Sequence, residues 1–289
     1  MDAKTDFVSI KRSHASFWAM IILVPVALIL VWLSQSGLIG TPLKRANLAY
    51  KNGEYTKAFE LYEPLAESGN QRAQSMVGWF YDNGYGVPVD DVEAAKWYLL
   101  AFNQGDANAA ENLAALKLAG SGVPQNLEEA RALFGVAAAT GLPGAQLAYG
   151  QMLMAGEGGP IDKTQGLLWV SRAAEQGIAM AQYTMGQFHL KDSHAYGAET
   201  TAVKFFEKAA MQGLTEAQIA LGRIYEAGDG VRQSYVRAYL WYATAAKTGS
   251  REARAMRDRA YGLLTARQTG EASRRLELCE ELGGEHCLH

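Results

Sequence analysis

The chain has little of what most enzyme chemistry needs. Its 289 residues include two cysteines and five histidines, and the cysteines stand near the C-terminal end, at 279 and 287. It contains no phosphate loop of the G-x-x-x-x-G-K-[ST] kind, no paired glycine-rich dinucleotide motif, no G-x-S-x-G elbow and no H-E-x-x-H helix. The common signatures of NTPases, dinucleotide enzymes, α/β-hydrolases and zinc peptidases are therefore missing. Neighbouring carboxylates such as Asp90-Asp91 and Glu280-Glu281 diverge on regular structure and make no acid–base pair; Asp90 and Asp91 suit a helix start, where acids meet the positive end of the dipole. Excess charge of one sign is lacking too. The 27 Lys and Arg against 30 Asp and Glu leave −3, with no basic footprint for nucleic acid. No N-x-[ST] sequon occurs. The expectation is a protein that is not an enzyme and takes no cofactor or structural metal.

What the sequence does have is a period. Glycines at 69, 105, 141, 177, 213 and 249 stand 36 residues apart, and alanines at 73, 109, 145, 181 and 217 keep the same step. A fixed step of this length predicts a stack of small units, each burying its apolar face on the next. In residues 214–249, Ala217, Leu221, Gly222 and Tyr225 make the buried stripe of a first helix. Gly228 and Gly230 break it, and Ala238, Trp241, Tyr242 and Ala245 line a second helix that Gly249 stops. The pairs Trp97-Tyr98, Leu133-Phe134, Trp169-Val170 and Phe205-Phe206 hold the same place in other units. At this period they read as core.

The pattern A-x-x-x-L-G-x-x-Y-x-x-G-x-G-V, then A-x-x-W-Y-x-x-A-A-x-x-G, resembles Sel1-like repeats, relatives of the tetratricopeptide repeat. Five units fill residues 70–249, a shortened one precedes them at 41–69, and 250–289 form a helical cap and tail, with Thr265 and Gln268 spaced as a capping box. The resemblance implies an all-α fold, paired antiparallel helices wound into a right-handed superhelical solenoid. It also implies a role as adaptor or assembly scaffold in a bacterial envelope or secretory pathway, and it carries no catalytic residues.

Ahead of the repeats, residues 15–33 run for 19 positions without a charge, enough to span the roughly 30 Å hydrocarbon core of a bilayer. Trp18 and Trp32 sit near its ends. A transmembrane anchor is expected over 15–36 behind a short tail, 1–14; the alternative is a cleaved secretory signal, for which Ser34-Gln35-Ser36 is a poor site. Lys4, Lys11 and Arg12 before the span place the N-terminus in the cytoplasm and the repeats in the periplasm of a bacterial inner membrane. There Cys279 and Cys287, flanking Gly283-Gly284, suit a disulfide; free thiols, or a zinc site with His286 and His289, are the other readings.

The code breaks in a few places. Trp79 has Ala115, Gln151, Gln187 and Arg223 as equivalents, a variable and hence exposed column. Trp79 and its neighbour Phe80 read as anchors for a partner, with Gln151, Gln187 and Arg223 on the same surface; the other reading packs Trp79 against the N-terminal cap. The fourth turn, LKDSHAYGAE, has Asp192 where the others have glycine, so that His189, Asp192 and His194 form either a weak metal set or a reshaped loop. In the cap, Arg251, Arg254 and Arg257 offer a docking patch for an acidic partner, or a solvated face, and Arg254 is spaced to pair with Asp258. Lys117 replaces an apolar or aromatic residue without evident cause. The whole reads as a membrane-anchored scaffold for another envelope or inner-membrane protein. The alternative is a factor that binds exopolysaccharide or glycan directly.

Overall fold

The computed structural model describes residues 40–191 and 197–282. Among them lie fourteen helices and no strand. In order they are α1 (Pro42–Lys51), α2 (Tyr55–Glu67), α3 (Gln71–Asn83), α4 (Asp91–Asn103), α5 (Ala107–Ala119), α6 (Leu127–Ala139), α7 (Pro143–Ala155), α8 (Lys163–Glu175), α9 (Ala179–Lys191), α10 (Ala198–Met211), α11 (Thr215–Ala227), α12 (Tyr235–Ala246), α13 (Arg251–Gly262) and α14 (Ala266–Leu282). The fold is an all-α repeat solenoid. No helix among the described residues is long and apolar enough to cross a membrane; the 15–33 run lies outside them. Asp192, His194, His286, Cys287 and His289 lie outside them too, as does the side chain of Cys279, so the disulfide and both metal readings fall there.

The chain forms two compact units, one reaching to Ala109 and including Gly120–Pro124, the other made of Ala110–Ala119 and Gln125 onward. In the first, α2 packs on both α1 and α3, and α3 on α4. In the second, each helix from α6 to α12 packs on the next, and α12 receives α13 and α14. Columns of small residues set the spacing. Ala58, Ala94, Ala130, Ala202 and Ala238 are fully buried, with Gly166 in the fourth place of that column. Gly222 faces the ring of Tyr242 so closely that a Cβ there would lie 2.3 Å from its Cε1. Close helix approach against an aromatic ring thus requires glycine at this column.

Helix starts are capped by side chains at one repeating position. Asp90 accepts from the amides of Val92 and Glu93, Asn126 from Glu129, Asp162 from Gln165 and Ser234 from Arg237. Each such cap is worth about 1 kcal/mol. The equivalent start of α10 has Gly197 and no side-chain cap. At α14, Thr265 N donates to Gln268 Oε1 and Gln268 N to Thr265 Oγ1, a reciprocal capping box.

Inside the frame runs a ladder of glutamines. Gln74, Gln146, Gln182 and Gln218 are buried, and each donates Nε2 to a carbonyl of the preceding helix, at Ala66, Ala138, Ala174 and Ala210. Their Oε1 atoms accept from the Nε2 of Gln104, Gln176 and Gln212 at 2.6, 2.8 and 2.8 Å. Two repeats depart from this. One has Ala110 and Thr140 at the two places, so both partners are lost together, which leaves no orphan. The last has Thr248 in place of the donor glutamine, and Gln218 Oε1 is left buried without a partner.

Candidate functional site

A second pair of columns shows how the repeats tune their filling. Tyr98 donates its hydroxyl to Asp82 at 3.1 Å, and Tyr242 to Glu226 at 2.9 Å. Where the ring position holds Phe134, Val170 or Phe206, the acid position holds Leu118, Met154 or Leu190. A buried hydroxyl needs an acceptor and a bare ring does not, so the two positions change together. Burial pushes the Asp82 carboxyl above its ordinary value, against the hydrogen bond from Tyr98, and nearby Asp91 adds to the rise.

The column of Phe80 is the informative one. Phe80 is 0% exposed, between Phe59 and Tyr62 of α2 and beside Tyr50 and Trp79, with ring centroids 5.5–6.2 Å apart. Its equivalents Leu116, Met152 and Ile224 are buried as well. Phe188, in the same column, is 37% exposed. Three steps along the chain, the places of Phe59, Tyr62 and Trp79 hold Leu167, Val170 and Gln187. Three aromatic neighbours have become one aliphatic residue, one small β-branched residue and an amide. A pocket of about 260 Å³ opens there, lined by Met154 of α7, Lys163 and Leu167 of α8, and Thr184, Gln187, Phe188 and Lys191 of α9.

The floor of this pocket is apolar and its charges have one sign. Lys163 and Lys191 are both exposed, and no carboxylate among the described residues lines the cavity. Among the described residues neither lysine is ion-paired. Thr184 Oγ1 donates to the Met180 carbonyl at 2.8 Å and Gln187 Nε2 to the Tyr183 hydroxyl at 2.9 Å, which leaves Gln187 Oε1 available. No group of three or more His, Cys, Asp or Glu among the described residues is placed to hold a metal. The arrangement has no nucleophile–base pair; its chemistry is that of a receptor for an apolar group with anionic flanks.

The sequence-derived candidates are not all surface groups. Phe80 is core, which corrects its expected place beside a partner: neighbouring helix positions point about 100° apart, and its column is apolar in every unit. Trp79 is half-buried against the N-terminal helices. Its ring stacks on Tyr85, centroids 5.1 Å apart and 18° between planes, and meets Tyr50 edge-on at 5.4 Å. Gln151 is exposed, and Gln187 is the one candidate that lines the pocket. Arg223 pairs with Glu252 at 2.7 Å.

The cap arginines are largely engaged locally. Arg254 donates to the Gly249 carbonyl at 2.9 Å, near the end of α12, and Arg257 pairs with Asp258 at 2.7 Å. Asp258 is thus taken by its neighbour and not by Arg254. Arg251 is exposed. Lys117, unexplained in the sequence, meets Glu129 at 2.9 Å. The equivalent pair in the last repeat is Arg237 over the ring of Tyr225, 5.2 Å from its centroid. The lining residues other than Gln187 escape a search of single positions; comparing columns 59, 62 and 79 across repeats would have found the cavity.

Comparison with known proteins follows the same lines. The Sel1 repeat family matches residues 46–70, 71–106, 107–141, 143–178, 179–214 and 215–250, more than half of the chain. A Sel1 repeat protein from Oxalobacter formigenes is 28% identical with a TM-score of 0.72, over 83% of this chain and 96% of that one. The Escherichia coli protein c5321, a protective antigen of uropathogenic strains displaying an SLR fold, is 26% identical with a TM-score of 0.69. That match covers 89% of this chain, which spans 57% of the antigen's length. No curated protein matches the sequence.

Proposed function

The chain belongs to the Sel1 repeat family, and from that premise we propose that it is a membrane-tethered scaffold holding another protein of a bacterial envelope. Sel1 repeat proteins bind other proteins through their helical repeats. The observation that carries the reading is how the residues are divided. The periodic residues are spent on turns, packing, capping or the glutamine ladder, while the column of Gln151, Gln187 and Arg223 stays at the surface and varies. A repetitive frame with a variable exposed column has the economy of a presenting surface, and among the described residues no reacting groups are gathered on it.

The tether is argued from the uncharged run at 15–33, with an inner-membrane location and periplasmic repeats following from the basic residues before it. Confining scaffold and partner to one membrane raises their effective concentration, so a modest surface affinity suffices. Direct polymer binding is the less favoured reading. It needs exposed aromatic faces, yet Tyr98, Phe206, Trp241 and Tyr242 are buried and Trp79 has a face on Tyr85. The test is affinity purification of the tagged full-length protein from membranes in mild detergent. A stoichiometric membrane-protein partner is the expected result. Recovery of the chain alone, or with polysaccharide only, would overturn the reading.

A further inference from the structure

We propose that the pocket of α7, α8 and α9 is a docking site for an acidic segment of a partner protein, with a bulky apolar side chain in the cavity and flanking carboxylates on Lys163 and Lys191. The proposal rests on the scaffold reading for its partner class and adds the site and its chemistry. The pocket is a departure from the frame and not a general property of it. The buried Phe column is sealed at Phe80, Leu116, Met152 and Ile224 and open only at Phe188. Columns 59 and 79 are non-aromatic in sealed repeats too, as at Ala95 and Ala115 near Leu116; what sets this repeat apart is Val170, the one non-aromatic residue in the column of Tyr62, Tyr98, Phe134, Phe206 and Tyr242.

Size and charge select the occupant. Small-molecule sites run to roughly 300–1,000 Å³; at about 260 Å³ this cavity lies just below that range and suits one large side chain better than a cofactor. Met154 gives one wall a flexible thioether that adapts to the shape of what enters. Among the described residues two ammonium groups and no carboxylate line the cavity, in a chain whose net charge is −3. A neutral apolar ligand would make no use of the lysines, and a basic segment would be repelled by them.

The experiment uses the full-length protein in mild detergent and a defined array of fifteen-residue peptides. Each carries a central Phe, Trp or Leu flanked by Asp and Glu, by Gln, or by Lys. The acidic set should bind best, and its binding should weaken as salt rises. The double variant Lys163→Glu with Lys191→Glu should lose about tenfold or more on the acidic set while its melting temperature and helix content stay put. Gln187→Trp, which restores the bulk of column 79, should block all three sets. Binding indifferent to flank charge, or unchanged in both variants, overturns the proposal. So does a concentration-dependent self-association that the same variants abolish, since the occupant would then be a second copy.

The same purification separates this proposal from the reading beneath it. If wild type and double variant recover one partner equally, the scaffold stands and this site falls. If wild type recovers no partner while acidic peptides still bind to it and not to the variant, the scaffold reading falls and the site stands.

Discussion

Phe80 and Phe188 are the same residue type at the same place of two different repeats, and they live in different surroundings. Around Phe80, α1, α2 and α3 supply Tyr50, Phe59, Tyr62 and Trp79, and the ring is sealed. Around Phe188, α8 and α9 offer Leu167, Val170 and Gln187, and a pocket remains. The backbone frame is common to both: a buried glutamine, Gln74 or Gln182, donates to the carbonyl behind it and accepts from Gln104 or Gln212. The frame fixes where a side chain points. Its neighbours in the adjoining helix decide whether it is core or surface. A repeat protein can therefore open a site by exchanging side chains around one ring without disturbing its ladder.

The comparison breaks most visibly by truncation. Phe80→Ala should cost about 3–5 kcal/mol in urea unfolding, as for a buried aromatic. Phe188→Ala, already partly solvated, should cost under about half as much. Equal losses would mean that the pocket does not persist in solution. Next come the rungs. Gln104→Ala and Gln212→Ala each leave a buried Oε1 without its donor and should each cost about 1–3 kcal/mol. Similar values at the two ends would support a common frame, and a large disparity would refute it.

A gain is expected where a rung is missing. Thr248→Gln places a donor opposite the orphaned Gln218 Oε1 and should add about 0.5–1.5 kcal/mol, read as a raised unfolding midpoint. The smallest effect is on pH. The raised Asp82 pKa means that the fold favours its protonated form. That stabilisation is fully present below the ordinary aspartate value and is lost as pH rises through the raised one. Asp82→Asn keeps an acceptor for Tyr98 and has no charge to desolvate. The variant should gain on wild type as pH rises from below the ordinary aspartate value to neutrality, and a difference that stays constant over that span would contradict this. The equivalent place near Phe188 is Leu190, which cannot titrate.

Much of the frame is legible in the sequence because its signals are local and repeated. The glycine stops, the caps at Asp90 and Thr265 and the aromatic columns each rest on one turn of chain. What escapes is set by several chain segments at once. Phe80 reads as surface if paired with Trp79 along the chain and as core if read down its column. The ladder was visible at 74, 146, 182 and 218, yet a polar residue at fixed period is easily passed over as a solvated face. The pocket shows only when a column is read across repeats, since Val170 is ordinary alone and stands out beside Tyr98, Phe134, Phe206 and Tyr242. Arg254 and Asp258 have the right spacing to pair, but Arg257 is adjacent and takes the carboxylate.

The missing rung at Ala110 and Thr140 bears on how the chain responds to force. A solenoid pulled by its ends carries load through its repeats in series, and the repeats joined by a glutamine bridge must shear that bridge before their helices part. The repeat holding Ala110 and Thr140 has no such bridge to shear. Under tension this repeat, and the one in which Thr248 faces Gln218, are expected to yield before the bridged repeats, so that the places where the ladder is broken set where the stack parts.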